Sequence, residues 1–218
     1  MIPVRDAIPA PTRPTVALVL AGTAAITYGA AALLAKTPIA WPLGLDDPGS
    51  LASAVAALFV PANWLQVAAT VFALWIFGPT VEDRLGHDRF ALLYLWCGAV
   101  GAGIAALAAR GPVGVALGGP AAAVAGIAAG HLALYPRGGI LVLVPDAGGI
   151  DVADVPSVLV AAFWLLVQLV ASSPVLGALP GWSAGLALVH LAGGALAGAA
   201  GARVLRRSER MHPGWWTP

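Results

Sequence analysis

The chain alternates between long apolar runs and short polar connections, and the lengths of those runs set the first expectation. A helix needs roughly 20 apolar residues to cross a bilayer. Six candidates occur: Thr15 to Ala35, Trp64 to about Val81, Phe90 to Ala109, Pro120 to Tyr135, Val155 to Ala171, and Ser183 to Ala202. None contains Asp, Glu, Lys or Arg before position 82 closes the second. The pattern predicts an all-α membrane protein, a bundle of six transmembrane helices. The first run is longer than the ~7–15 residues of a cleaved signal's apolar region, and no charge-rich start precedes it closely, so it reads as a span. The stretch Ile140 to Val144 is too short to cross and reads as part of an inner loop.

Composition agrees. Of the 218 residues 60% are hydrophobic and 10% charged, against about 25% charged in an ordinary soluble domain. The net charge of +1 gives no global signal for nucleic acid. The single cysteine, Cys97, lies in an apolar run, forms no intrachain disulfide and says nothing about redox compartment. The 27 glycines suit close packing of membrane helices.

Charge placement orients the chain. With the N-terminus inside, the inner segments hold Arg5, Arg13, Arg84, Arg89, Arg137, Arg203, Arg206, Arg207 and Arg210, and the outer ones only Lys36 and Arg110. Nine against two is a strong positive-inside bias. The expected protein is therefore multi-pass in the cytoplasmic (inner or plasma) membrane, with both termini cytoplasmic. Its parts are an N-terminal segment 1–14, a membrane domain 15–205 and a basic tail 206–218. Trp41, Trp64 and Trp182 fall near the outer boundary, and Trp215 with Trp216 read either as an inner-leaflet contact or as part of a frayed tail. The segment from Lys36 to Asn63 is long for a loop between membrane helices, which suggests a role or partial burial in the interface.

The fourth run is the informative one. Gly118, Gly119 and Pro120 open it, a sequence suited to irregular backbone followed by a helix's first turn. From Pro120 to Tyr135 it would be about 24 Å long at ~1.5 Å per residue, short of the ~30 Å hydrocarbon core. Its start is expected below the outer surface, beside a cavity open outward, because non-helical backbone at depth needs protein or water around it. A short helix in a thinned bilayer is the alternative.

The run Gly119-Pro120-Ala121-Ala122-Ala123-Val124-Ala125-Gly126, closing in Leu134-Tyr135-Pro136, resembles the fourth helix of bacterial rhomboid intramembrane serine proteases, where G-x-S-G precedes a glycine-rich helix ending in Y-P. Upstream, Gly78, Glu82 and Gly86 satisfy that family's G-x-x-x-E-x-x-x-G motif. Tyr94, Cys97 and Gly98 fit its third helix. His190 with Gly193 resembles its sixth-helix H-x-x-G, and the opening Met1-Ile2-Pro3-Val4-Arg5-Asp6 is similar too. The resemblance covers most of the chain. It implies a six-helix fold, a serine-type endopeptidase chemistry, no cofactor, no metal, and a membrane-embedded site acting on transmembrane segments of other proteins.

The departures fall on that chemistry. The serine position is Ala121 and the following glycine is Ala122. The oxyanion-supporting H-x-x-x-N is Gln66 and Thr70, and the histidine of H-A-G-W is Pro61. Only the general-base position survives, at His190. No other hydroxyl replaces the serine: Ser183 is about 10.5 Å from His190 along one helix, Ser172 and Ser173 end the fifth run, and Thr70 belongs to the oxyanion side. Without a nucleophile the acyl mechanism does not begin. Gln66 and Thr70, i and i+4 on one face, read either as a residual polar pocket for a peptide carbonyl or as interhelical hydrogen bonds worth about 0.6 kcal/mol on average. His190 reads as an inherited, neutral, hydrogen-bonded group, and His131 as packing. Gly193, Ala197 and Gly201 form a small-residue stripe expected to press the sixth helix onto the fourth. Glu82 and Arg84 are expected to tie the second helix to the third.

Three functions are carried forward: an inactive homologue that binds transmembrane segments, an active intramembrane serine endopeptidase, and a small transporter. The last lacks charged residues lining its helices and repeated halves. The first two differ by one residue, Ala121, and function is argued from the site; the inactive reading is the one expected.

Overall fold

A computed structural model describes residues 2–34, 55–108, 120–146, 149–172 and 184–207. The greater part of the 36–63 connection, Gly118 and Gly119, Ser173, Trp182 and Ser183, and the tail from 208 with its tryptophans lie outside the described residues. In chain order the elements are β1 (Ile2–Asp6), α1 (Thr15–Leu34), α2 (Trp64–Ile76), α3 (Gly78–Leu85), α4 (His87–Ala108), α5 (Ala121–Leu134), β2 (Gly139–Asp146), β3 (Gly149–Pro156), α6 (Ser157–Ala171) and α7 (Ala184–Leu205).

Each of the six apolar runs is a helix. Apolar side chains such as Val19, Ile26, Leu107, Phe163, Leu166, Leu196 and Val204 face outward, while Gln66, Thr70, Gln168 and His190 are buried. That arrangement inverts a soluble protein and suits a lipid solvent. Among the described residues, α4 and α7 are long and apolar enough to cross a membrane by themselves; α1, α5 and α6 are shorter apolar helices.

The second run departs from expectation. It breaks at Phe77, and α2 and α3 meet at a 50° bend. Pro79 sits in the first turn of α3, where a missing N–H costs nothing but continuation of α2 does not suit it. The short helix α3 is buried along its length, charged residues included.

A second departure is the sheet. Ile140–Val144, read as inner loop, belongs to β2, the centre of a three-stranded antiparallel sheet in the order β1-β2-β3. Its register pairs Ile140 with Val155 and Leu143 with Val152 across a hairpin. The N-terminal strand β1 adds to the other edge, Asp6 opposite Ile140 and Ile2 opposite Leu143. The protein is mostly helical, but all-α omitted this appendage. Five to eight residues with alternating environments pair as strands here because partners exist far away in sequence, which no local period reveals.

At the centre stands α5, surrounded by α2, α3, α4, α6 and α7. It is 14 residues long, about 21 Å, and from Ala121 to Val124 it is fully buried. Its start therefore lies inside protein, as its shortness implied.

The helix α7 runs parallel to it at very close range. A Cβ on Gly194 would come 2.1 Å from the carbonyl oxygen of Ala122, and one on Gly198 would come 2.0 Å from that of Gly126. One turn further, a Cβ on Gly130 would come 3.1 Å from Ala202 Cβ. Two small-residue rows at i, i+4, i+8 thus interlock with almost no side chain between the backbones. This corrects the expected stripe. Gly193 and Gly201 face α4 instead, at Gly101, Ile104 and Leu93. A shift of one residue turns a helical face by about 100°, and the sequence offers small residues on both faces.

Candidate functional site

The motif Gly78, Glu82, Gly86 is the best-defined polar construction in the molecule. Glu82, fully buried, accepts the backbone N–H groups of Val16 at 2.9 Å and Ala17 at 2.8 Å. These are orphan donors at the start of α1, so a carboxylate from α3 caps a helix 65 residues earlier in sequence, with the helix dipole adding to the attraction. His87 Nδ1 lies on the same carboxylate. Gly78 makes the approach possible, since a Cβ there would stand 2.8 Å from Ala17 Cβ. Gly86 ends α3 at φ 86°, a left-handed conformation suited to glycine, and its face is covered by the Arg207 guanidinium. Arg84 Nη1 donates to the carbonyl of Arg207 at 2.9 Å. Glu82 and Arg84 were expected to tie the second helix to the third. They tie the first and the last instead, with α3 as the block between.

A second polar cluster was missed by sequence reading. His131 is fully buried, and its Nε2 lies 2.6 Å from Asp6 Oδ2. The Thr80 hydroxyl donates to the same oxygen, and Ile8 N–H donates to the other at 3.0 Å. His131 also packs between Phe77 and Tyr135, at centroid distances of 5.2 and 5.5 Å. The packing reading of His131 was thus half the account: its imidazole also fastens β1 to the C-terminal end of α5. The available signal was an acidic residue in the opening segment together with a histidine in an otherwise apolar helix, although 125 residues separate them.

Two of the expected stretches, the start of α5 with Ala121 and the His190 turn of α7, come together. Ala121 and His190 are both buried. His190 precedes Gly194 by one turn, and Gly194 abuts Ala122. A Cβ on Gly101 of α4 would meet both Ala122 Cβ, at 2.4 Å, and the His190 carbonyl, at 2.6 Å. The start of α5 and the His190 turn of α7 therefore converge on one glycine. Gly126, one turn into α5, faces Cys97. Gly119 lies outside the described residues.

On the α2 side, Asn63 caps the helix by accepting Gln66 N–H at 2.9 Å, and the Gln66 carboxamide oxygen accepts Ala62 N–H at 2.6 Å. This pair resembles a capping box. Thr70 is fully buried, and its hydroxyl has no hydrogen-bond partner among the described residues. Across from α2 stands α6, held antiparallel by Trp164 Nε1 donating to the Ala69 carbonyl at 2.8 Å and Asn63 Nδ2 donating to the Ala171 carbonyl at 2.7 Å. Between those two bonds lies Gln168, which sequence reading passed over. It is fully buried, and neither its amide nitrogen nor its oxygen has a partner among the described residues. The Ser172 hydroxyl one turn on is in the same condition. A buried amide without partners is costly, and a lone Gln inside an apolar run was the signal.

Chemically, this assembly offers amide and hydroxyl groups of Gln66, Thr70, Gln168 and Ser172, and an imidazole at His190. It offers no oxygen at position 121. Ser183 and Ser173, weighed as substitute nucleophiles, lie outside the described residues.

Comparison with known proteins gives one match: residues 48–208 fit the family model described as the Rhomboid domain. No curated protein matches, and no solved structure does.

Proposed function

The chain belongs to the rhomboid family of integral membrane proteins, and we propose that it is a member without proteolytic activity, one that holds transmembrane segments of other membrane proteins. The observation carrying this reading is Ala121. A serine-type endopeptidase needs a hydroxyl that a neighbouring base deprotonates and that then attacks the carbonyl. A fully buried methyl group at the start of α5 supplies neither. The alternative, an active endopeptidase, needs a nucleophile from elsewhere. Thr70 lies on α2 with Gln66, on the oxyanion side in the family's arrangement, and Ser172 ends α6 beside Asn63.

Binding without cleavage finds support in the polar atoms left over. A peptide group carries one donor and one acceptor, as does a primary amide. Gln168, with Thr70 one helix away, suits a backbone unit of a client segment lodged between α2 and α6. All six helices crossing the cytoplasmic membrane, with both termini inside, is part of the same proposal; so is a membrane domain over 15–205 flanked by the segments 1–14 and 206–218.

The test has two arms in membranes. A fluorophosphonate probe should leave the protein unlabelled. A photo-reactive amino acid at position 168 should capture membrane proteins, and the capture should fall when Thr70 and Ser172 are replaced by Ala and Val. Labelling that vanishes in Thr70→Val would show a working nucleophile and overturn the inactive reading.

A further inference from the structure

Beneath the N-terminal strand lies a groove of about 700 Å³ between the 4–10 segment, α1, α2 and the start of α3. We propose that this groove is a phospholipid site: it takes one acyl chain of an anionic phospholipid, whose phosphate rests at Arg5.

The walls have the chemistry of a hydrocarbon slot. Ile8, Leu18, Ala21, Gly22, Val71 and Trp75 line it. Small residues of α1 make the floor, and a Cβ added at Gly22 would meet nothing within 4 Å, so the slot is open there rather than filled by a neighbour. The roof is fastened by Trp75 Nε1, which donates to the Val4 carbonyl at 3.0 Å. On the lipid side the rims are apolar and accessible, with Leu18 51% and Trp75 58% exposed. The groove is therefore reached from the bilayer and offers an alkyl chain apolar contact along α1 and α2.

Charge identifies the head group. The groove has two ionisable residues on its lining, Asp6 and Arg5. The Asp6 carboxylate is already engaged by Thr80, His131 and the Ile8 N–H. Arg5 is exposed and lies on β1, opposite Leu141 of β2. A guanidinium at that place is complementary to a phosphate, and anionic lipids are attracted to basic residues at the membrane surface. The occupant that satisfies both halves is an anionic phospholipid of the leaflet facing β1. In that position it would join β1 to α1 and α2 and complete the outer wall at the point where the sheet leaves the bundle.

The experiment is native mass spectrometry of the full chain, released from nanodiscs holding equal phosphatidylglycerol and phosphatidylcholine. One phosphatidylglycerol should be retained per protein, preferred roughly fivefold over phosphatidylcholine, as one cation near the surface gives. Arg5→Gln should abolish the preference, and Gly22→Trp, which fills the slot, should abolish retention. The unfolding temperature in lipid-free detergent reports whether Gly22→Trp folds. Equal retention of the two lipids by the wild type, full retention by folded Gly22→Trp, or a preference unchanged in Arg5→Gln would each overturn the proposal. So would a groove that cross-links from position 22 to protein and not to lipid. If Gly22→Trp does not fold, Arg5→Gln decides.

Discussion

Glu82 accepts the N–H of Ala17 at 2.8 Å across 65 residues of sequence, so the start of α1 is capped by a side chain of α3. Gly78 on one side and Gly86 on the other give that cap its room.

Removing the carboxylate should therefore be felt in α1. Glu82→Ala leaves the buried Ala17 donor and the half-buried Val16 donor without their acceptor, a loss of about 2–4 kcal/mol in unfolding free energy. Glu82→Gln keeps one acceptor oxygen and should lose less. Thermal unfolding in mild detergent measures both. Glu82→Ala with wild-type stability would mean that water replaces the cap.

The glycines separate into packed and open positions. Gly198→Ala places a methyl about where the Gly126 carbonyl stands and should cost about 1–3 kcal/mol. Gly103 faces open space, and Gly103→Ala in the same helical setting should be neutral or stabilising by about 0.4–1 kcal/mol. Equal behaviour of the two variants would contradict the close approach of α5 and α7.

Asp6 is the only described side chain bonded to His131, and β1 depends on it. Asp6→Ala should cost about 1–3 kcal/mol, because buried Thr80 and His131 lose their partner. It should also open the N-terminus to proteolysis. Limited digestion followed by N-terminal sequencing reads that directly; an N-terminus as protected as in the wild type would show that strand pairing alone holds β1.

Restoring serine should not restore a good protease. Ala121→Ser returns an oxygen at the start of α5, at the end of the bundle that holds His190. The oxyanion side remains altered, and the loss of one donor there costs about 10²–10³ in rate. Gln66 commits its amide oxygen to Ala62 N–H, Thr70 is shorter than Asn, and Pro120 has no N–H. Cleavage of a rhomboid substrate in liposomes should be slow or undetectable for Ala121→Ser. It should rise when Gln66→His, Thr70→Asn and Ala122→Gly are added, with His190→Ala as the blank. Fast cleavage by the single variant would mean the oxyanion side is intact.

The charge count predicts orientation. A reporter fused after Arg137 should read cytoplasmic, as should fusions at both termini. A periplasmic signal from the Arg137 fusion would reverse the topology.

The sequence by itself determined the six helical segments, because in lipid a chain must satisfy its backbone internally and 15–20 apolar residues leave helix as the answer. It also determined the family, through motifs whose spacing survives without contacts. The tertiary structure decided what depends on partners far apart. It broke the second run at Phe77, because α3 must turn to lay Glu82 on the start of α1. It made Ile140–Val144 a strand, since pairing with 149–156 and 2–6 supplies hydrogen bonds that a local window does not contain. It chose Gly194 and Gly198 over Gly193 and Gly201 as the face against α5, a choice between two small-residue rows about 100° apart that composition leaves equal. It joined Asp6 to His131, and left Gln168 buried without a partner among the described residues, because both outcomes follow from which elements meet rather than from what any one helix contains.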